Sequence, residues 1–356
     1  MRVIQLLPTI SYGDAVGNDT LALDQILKKN GFNSYIYAEN IDHRLENNLV
    51  KYEQKMPKLN KNDILIYHLS TGSELNYKIK NYDCKKMIIY HNITPSEYLE
   101  PYNKYTSNLC YEGRNAVKYL SNKVDYCLAD SKYNKEELDA NGYKKTDVLP
   151  ILINFNDYKR SPSQKILRLY EEDGYINILF TGRIAPNKKQ EDVIAAFYFY
   201  NKYINPKSRL FLVGSYNGME TYYHRLQKYV ERLQVQNVIF TGHIPFDEIL
   251  AYYHLADIFL CMSEHEGFCV PLVEAMYFNI PIIAYDSSAI AETMGGSGIV
   301  IDRKEPILVA KIIDRILNDK NLYNAIIQGE KERLKDFDNE KIERNFLKYL
   351  NQFLEK

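Results

Sequence analysis

The 356 residues carry 45 lysines and arginines against 46 acidic residues, a formal net charge of −1, which excludes the basic face that general nucleic-acid binding needs. With 46% hydrophobic and 26% charged residues, the composition is that of a soluble globular chain long enough for two domains. The five cysteines (Cys84, Cys110, Cys127, Cys261, Cys269) form no C-x-x-C pair. Neither a disulfide framework nor a zinc site is therefore expected, but a reduced, cytoplasmic protein in which the sequons at Asn18 and Asn92 are coincidental. The opening MRVIQLLPTI reads as a strand rather than a secretory leader, and no long uncharged apolar run reads as a membrane span.

In chain order, short apolar runs alternate with amphipathic segments, the pattern of α/β units with parallel sheets. Strands are predicted over 2–7, 33–39, 63–69, 86–92, 126–130 and 146–152. Between the first two, NDTLALDQILKKNG (18–31) predicts a helix capped by Asn18 and ended by Gly31. Over 153–175 the pattern lapses into polar residues, Pro and Gly, which reads as a linker. Strands resume over 176–183, 208–215, 237–244, 256–263, 280–286 and 297–302, and helices follow from about 305. The expected fold class is α/β, with two doubly wound, Rossmann-like domains facing a central cleft and ligands at the carboxyl ends of strands.

The residues with chemistry to offer follow strands. TGRIAPNKK places Arg183 and Lys188 on a turn made by Gly182 and Pro186. A guanidinium and an ammonium beside a helix start suit a diphosphate; two solvated surface cations are the alternative. SEHEGFCVPLVEAM turns at Gly267 and opens a helix whose amides at Phe268, Cys269 and Val270 can donate to an anion. Glu266, at the turn, suits sugar hydroxyls, and Glu274, about two helical turns on, suits ribose hydroxyls; a helix that is merely rich in Glu is the alternative. YGDAVGNDT (12–20) puts Gly13 and Gly17 in a loop that opens a helix. It is not G-x-G-x-x-G, so a dinucleotide cofactor is not expected; it is either a phosphate-closing loop or an ordinary β–α turn. His91 ends an apolar strand and faces the cleft in such a fold, with His68 ending the neighbouring strand and His265 preceding Glu266. A lone histidine is more often structural than catalytic. No His/Asp/Glu cluster has metal-ligand spacing, so no tightly bound metal is expected.

Taken in this order, ILFTGRIAPNKKQEDVIAAF, LFLVGS, NVIFTGHIPFDEILAYYHLADIFLCMSEHEGFCVPLVEAM and PIIAYDSSAIAETMGGSGIVI resemble the retaining GT-B glycosyltransferases of family 4, the group 1 transferases. The resemblance covers 176–302. The first half is similar more loosely, through the glycine loop, the strand-end His91 and CLADSKYNKEEL with Ser131. It implies an N-terminal acceptor-side domain over 1–155, a C-terminal nucleotide-sugar domain over 156–337, and a last helix near 338–356 that returns to the first domain. Arg183 and Lys188 would hold the donor diphosphate, the amides of Phe268, Cys269 and Val270 beyond Gly267 would cap it, Glu274 would contact the ribose and Glu266 the sugar. The loop around Gly17 would close on the donor, and His91 would lie near donor sugar and acceptor. The chain departs from the family at Lys189, Cys269 and Asn279, where the family usually has glycine.

The implied reaction moves a hexosyl group from a UDP-, GDP- or dTDP-linked sugar to a hydroxyl of a glycan or lipid-linked acceptor, with retention, in cell-surface polysaccharide biosynthesis. No tightly bound cofactor is implied; the nucleotide sugar is a substrate. Same-face substitution is favoured, Arg183 and Lys188 neutralising the leaving phosphate and domain closure excluding water. The expected location is cytoplasmic, with peripheral contact at the inner membrane face left open. Two rival readings are a non-hydrolysing nucleotide-sugar epimerase and an inactive GT-B partner subunit. The four intact charged positions argue against the second.

Overall fold

The computed structural model describes residues 1–11, 13–45 and 49–355; Tyr12 of the glycine loop and Lys356 of the expected last helix lie outside the described residues. The chain divides into two compact units, one of residues 1–97, 105–154 and 337–356, the other of 98–104 and 155–336. The sequence placed the first break near 155/156 and gave no sign that 98–104 belongs with the second unit. Among the described residues, no helix is long and apolar enough to cross a membrane.

Among the described residues, the first unit is built on a parallel sheet of seven strands: β1 (Arg2–Ile10), β2 (Asn33–Ile41), β3 (Val50–Tyr52), β4 (Ile64–Leu69), β5 (Lys85–Tyr90), β6 (Tyr126–Ala129) and β7 (Thr146–Val148), in the order β3-β2-β1-β4-β5-β6-β7. Side chains alternate across a strand, so the continuous apolar runs fill two cores at once. Ile4, Leu65, Tyr67, Ile88 and Tyr90 enter one core, while Val3, Ile64, Ile66, Met87 and Ile89 enter the other. β5 stops before His91, and β7 is shorter than predicted because Pro150 has no amide for a ladder.

The first helix, Ala15–Lys29, starts earlier than the sequence reading placed it. Asp14, not Asn18, is the cap: its carboxylate accepts from the amides of Val16 and Gly17, and Asn18 lies inside the helix with its amide on the Asp14 carbonyl. The last helix, Asn339–Leu354, carries Ile342, Phe346, Leu350 and Phe353 on one stripe, and that stripe fills the second of these cores.

The second unit has six parallel strands: β8 (Ile176–Thr181), β9 (Ser208–Val213), β10 (Val238–Gly242), β11 (Ile258–Cys261), β12 (Ile282–Tyr285) and β13 (Ile299–Ile301), in the order β10-β9-β8-β11-β12-β13. The expected linker is partly structured. Helix Gln164–Tyr170 lies within it, and Tyr170 sits edge-on to Phe211 of β9 at 5.0 Å.

The returning helix gives the first unit part of its core. Phe346→Ala should cost roughly 3–5 kcal/mol, read as a lowered urea midpoint for the first unit, with far-UV circular dichroism and Tyr fluorescence as probes.

Candidate functional site

In each sheet the strand order reverses beside the first strand of its unit, at β1/β4 and at β8/β11. An open sheet splays its connections there and leaves a crevice beyond the carboxyl ends. The two most specific segments of the sequence leave the second of these points, one after β8 and one after β11.

Two bonds lace those loops together. The Asn187 side-chain amide donates to the His265 carbonyl at 3.0 Å, and the Glu264 amide donates to the Asn187 carbonyl at 2.8 Å. Within this frame Lys188 Nζ meets Glu266 Oε2 at 2.5 Å, with side chains 22% and 8% exposed. Burial disfavours the ammonium, but Glu266, Cys269 and Cys261 together hold the Lys188 pKa above its ordinary value. The Glu266 amide donates to the Ser288 hydroxyl at 2.7 Å. Arg183 is exposed, its guanidinium donating to the Asn217 carbonyl at 3.0 Å. An ammonium has three donors, so Lys188 can hold Glu266 and still offer hydrogens to an anion.

Helix Val270–Tyr277 begins immediately after Cys269, with Pro271 in its first turn and Phe268 buried before it. Cys269 has φ 74°, Lys189 φ 52° and Asn279 φ 56°. All three positions where the chain departs from glycine therefore keep a left-handed backbone, which costs an L side chain roughly 1–2 kcal/mol. The Cys269 and Cys261 thiols lie together: Cys269 pulls the Cys261 pKa down, and its own is pushed well up by that bond and by burial. Glu274 is half-buried, its carboxylate accepting from Tyr158 at 2.7 Å and Tyr253 at 2.5 Å, and burial raises its pKa despite those bonds.

In the first unit strand parity assembles a second polar group. Gln5, His68, His91 and Asp130 continue the rows of Val3, Ile66, Ile89 and Leu128, which share one core. His91 Nδ1 is 2.9 Å from Asp130 Oδ2, His91 Nε2 is 2.9 Å from His68 Nδ1, and His68 Nε2 is 2.9 Å from Gln5 Oε1. Gln5 Nε2 donates to the Thr20 carbonyl at 3.1 Å, which fixes the amide so that its oxygen faces His68. His68 must then donate through Nε2. With Asp130 accepting at the other end, the two rings together hold one proton beyond neutrality. Burial and the charge of His91 push the His68 pKa well down. At His91 burial opposes the charge, but Asp130, Asp19 and Asp14 raise the pKa above its ordinary value, so the proton resides on His91. The His91 side chain is only 1% exposed, and both its ring nitrogens are engaged. Gly17, in the first turn of the helix after β1, admits no side chain: a Cβ there would stand 2.6 Å from the Ser11 carbonyl oxygen. Ser131 caps the helix Lys132–Ala140 by accepting from the Asn134 amide.

Among the described residues, two clusters bring metal-competent donors within 4.8 Å of one another, Asp19–His68–His91 and Cys261–Glu266–Cys269. A cation in the first would displace the imidazolium proton, and one in the second would displace Lys188 from Glu266. The sequence reading missed Tyr158 and Tyr253 on Glu274, Cys261 beside Cys269, and the Gln5–Asp130 ends of the histidine chain. Strand parity carried a signal only for the last.

Comparison with known proteins adds four findings. Residues 164–333 match the family described as Glycosyl transferases group 1. An uncharacterized glycosyltransferase of Methanocaldococcus jannaschii is 25% identical over 232 residues, which cover 65% of this chain and 60% of that protein. The O-antigen chain mannosyltransferase B of Escherichia coli is 27% identical over 226 residues, 59% of this chain and 58% of that one. The chain thus spans about three fifths of the length of these curated relatives. Among solved structures, the Anabaena protein HepE in complex with UDP superposes with a TM-score of 0.75 at 19% identity, covering 99% of this chain and 100% of that one; this likeness is one of fold.

The histidine pair sets a pH signature. His91, with its raised folded pKa, contributes stability that is complete below the ordinary value of 6.5 and is lost as pH rises through the folded pKa. His68, with its depressed pKa, contributes stability present above 6.5 and lost as pH falls through its folded value. Asp19, pushed up to about 7 by burial, adds a decline as pH rises from 3.8 to about 7. Denaturant midpoints of the first unit should therefore fall above neutral pH, and His91→Gln should flatten that alkaline limb; an unchanged limb would place the charge elsewhere.

Proposed function

Because residues 164–333 match the family described as Glycosyl transferases group 1 and the chain has the GT-B fold, we propose that this protein transfers a hexosyl group from a nucleoside diphosphate sugar to a hydroxyl of a glycan or lipid-linked acceptor, with retention of configuration. The observation that carries this reading is the Lys188–Glu266 pair, with Arg183 exposed on the same loop as Lys188, at the reversal point of the second sheet.

Each residue then has a task. Arg183 and the spare donors of Lys188 take the diphosphate and neutralise the charge that develops as the glycosidic bond breaks, the same electrostatic principle as an oxyanion hole. The amides from Phe268 to Val270 face the phosphates at the start of their helix. Glu266, fixed by Lys188, accepts from a hydroxyl of the transferred sugar, and Glu274 accepts from the ribose. Substitution proceeds on the face of the departing phosphate, which accepts the proton of the attacking hydroxyl. His91 acts through its charge, since neither ring nitrogen is free to bind a substrate. The UDP complex of HepE and the mannosyl transfer named for the Escherichia coli relative support a nucleotide-sugar donor and a surface-polysaccharide acceptor. We place the work in the cytoplasm, with the acceptor reached at the inner face of the membrane by peripheral contact.

The alternative of an inactive partner subunit makes the opposite prediction. A thermal-shift panel of UDP, GDP and dTDP sugars should show stabilisation by at least one donor, and incubation with an acceptor should release the nucleoside diphosphate. Arg183→Ala and Lys188→Ala should each lower turnover on the order of a hundredfold or more. Stabilisation by no nucleotide favours the inactive partner, and unchanged turnover in both variants removes these cations from the reaction.

A further inference from the structure

The surroundings of Glu274 go beyond what the family reading requires. Its two oxygens are gripped separately, Oε1 by the Tyr158 hydroxyl at 2.7 Å and Oε2 by the Tyr253 hydroxyl at 2.5 Å. The Tyr253 oxygen also lies 2.6 Å from the hydroxyl of Thr181, the last residue of β8. A phenol has one proton, and a carboxylate can only accept, so Thr181 donates to Tyr253 and Tyr253 donates to Glu274. The rings cannot swing away. Tyr253, 1% exposed, stacks on Phe278 at 5.0 Å and 11°, and Tyr158, 8% exposed, is wedged among Phe155, Phe246, Tyr277 and Phe278. Glu274 alone in this chain of hydroxyls keeps appreciable exposure. Both tyrosines hold it, and it is half-buried rather than buried.

A carboxylate has about four acceptor sites, two on each oxygen. The tyrosines occupy one on each, which leaves one on each. That remainder matches a vicinal diol, whose neighbouring hydroxyls supply one proton per oxygen. We infer that this site selects ribonucleoside diphosphate donors against 2′-deoxyribonucleoside ones, with Tyr158 and Tyr253 as positioning residues that divide the Glu274 carboxylate into two single acceptors. A 2′-deoxyribose would leave one oxygen of a largely desolvated carboxylate unmatched, and a site built to bond a hydroxyl rejects the analogue that lacks it far more strongly than an apolar pocket rejects an extra one. UDP- and GDP-linked sugars fit, and dTDP-linked sugars do not. The inference rests on Glu274 being the ribose partner in the function proposed above.

Calorimetric titration with UDP, 2′-deoxy-UDP, GDP and 2′-deoxy-GDP tests it on the full chain. The wild type should prefer the ribonucleotide on the order of 10- to 100-fold. Tyr158→Phe and Tyr253→Phe keep the rings and remove the hydroxyls; each should narrow that preference to a few-fold, chiefly by weakening the ribonucleotide, and cooperative melting would confirm that the variants are folded. Tyr158→Phe, away from the strand-end bond to Thr181, is the variant that decides if Tyr253→Phe melts early. Equal binding of both sugars by the wild type overturns the selectivity. A preference erased by Glu274→Ala but untouched by both Phe variants overturns the role of the tyrosines. A preference that survives Glu274→Ala, or the failure of all four nucleotides to bind, overturns the underlying reading instead.

Discussion

The second unit depends on one buried ion pair at the place where its sheet changes direction. Lys188 arrives on the loop after β8 and Glu266 on the loop after β11, and at 2.5 Å neither loop can drift without stranding a charge. Such pairs gain little over apolar residues of the same volume, yet losing one partner is costly. Their effect is positional. The pair sets the distance between a cation that can meet phosphate and a carboxylate that can meet sugar, and the bonds from Asn187 and to Ser288 keep that distance from depending on the two side chains alone.

Much of this was legible in the sequence because it is local. Continuous apolar runs gave nearly all strands, since both faces of a parallel sheet are buried, and the charged positions stand at strand ends that the alternation of elements locates. What escaped has physical reasons. β3 spans only Val50–Tyr52, too short to show a period. Asn18, with Asp and Thr behind it, has the composition of a cap, but Asp14 lies nearer the strand and takes the first free amides. Tyr158 lies in a stretch whose polarity reads as a linker, and its partner Glu274 is 116 residues away, a pairing for which no local pattern exists. The glycine positions are instructive in another way. Lys189, Cys269 and Asn279 depart from the glycines of the pattern the sequence resembles, yet their positive φ values are those a glycine adopts readily.

The first unit uses parity where the second uses loops. One face of neighbouring strands delivers Gln5, His68, His91 and Asp130 in sequence, and the carbonyl of Thr20 settles the direction of every bond between them. An imidazolium held this way keeps its charge to higher pH than a histidine in contact with solvent, because Asp130, Asp19 and Asp14 surround it with compensating acid. His91 is thus better understood as part of the electrostatic floor of its unit than as a lone base at a strand end.

The return of the helix Asn339–Leu354 to the first unit bears on how the protein is made. Strands β1 to β7 are synthesised first, but the stripe of Ile342, Phe346, Leu350 and Phe353 that covers one face of their sheet follows the whole second unit in sequence. As the polypeptide leaves the ribosome, the unit that begins first is therefore completed only after its neighbour, with apolar surface waiting while 182 residues (155–336) of that neighbour emerge and fold. Chains that stall before Asn339–Leu354 emerges would expose that face, so aggregation is favoured in that interval.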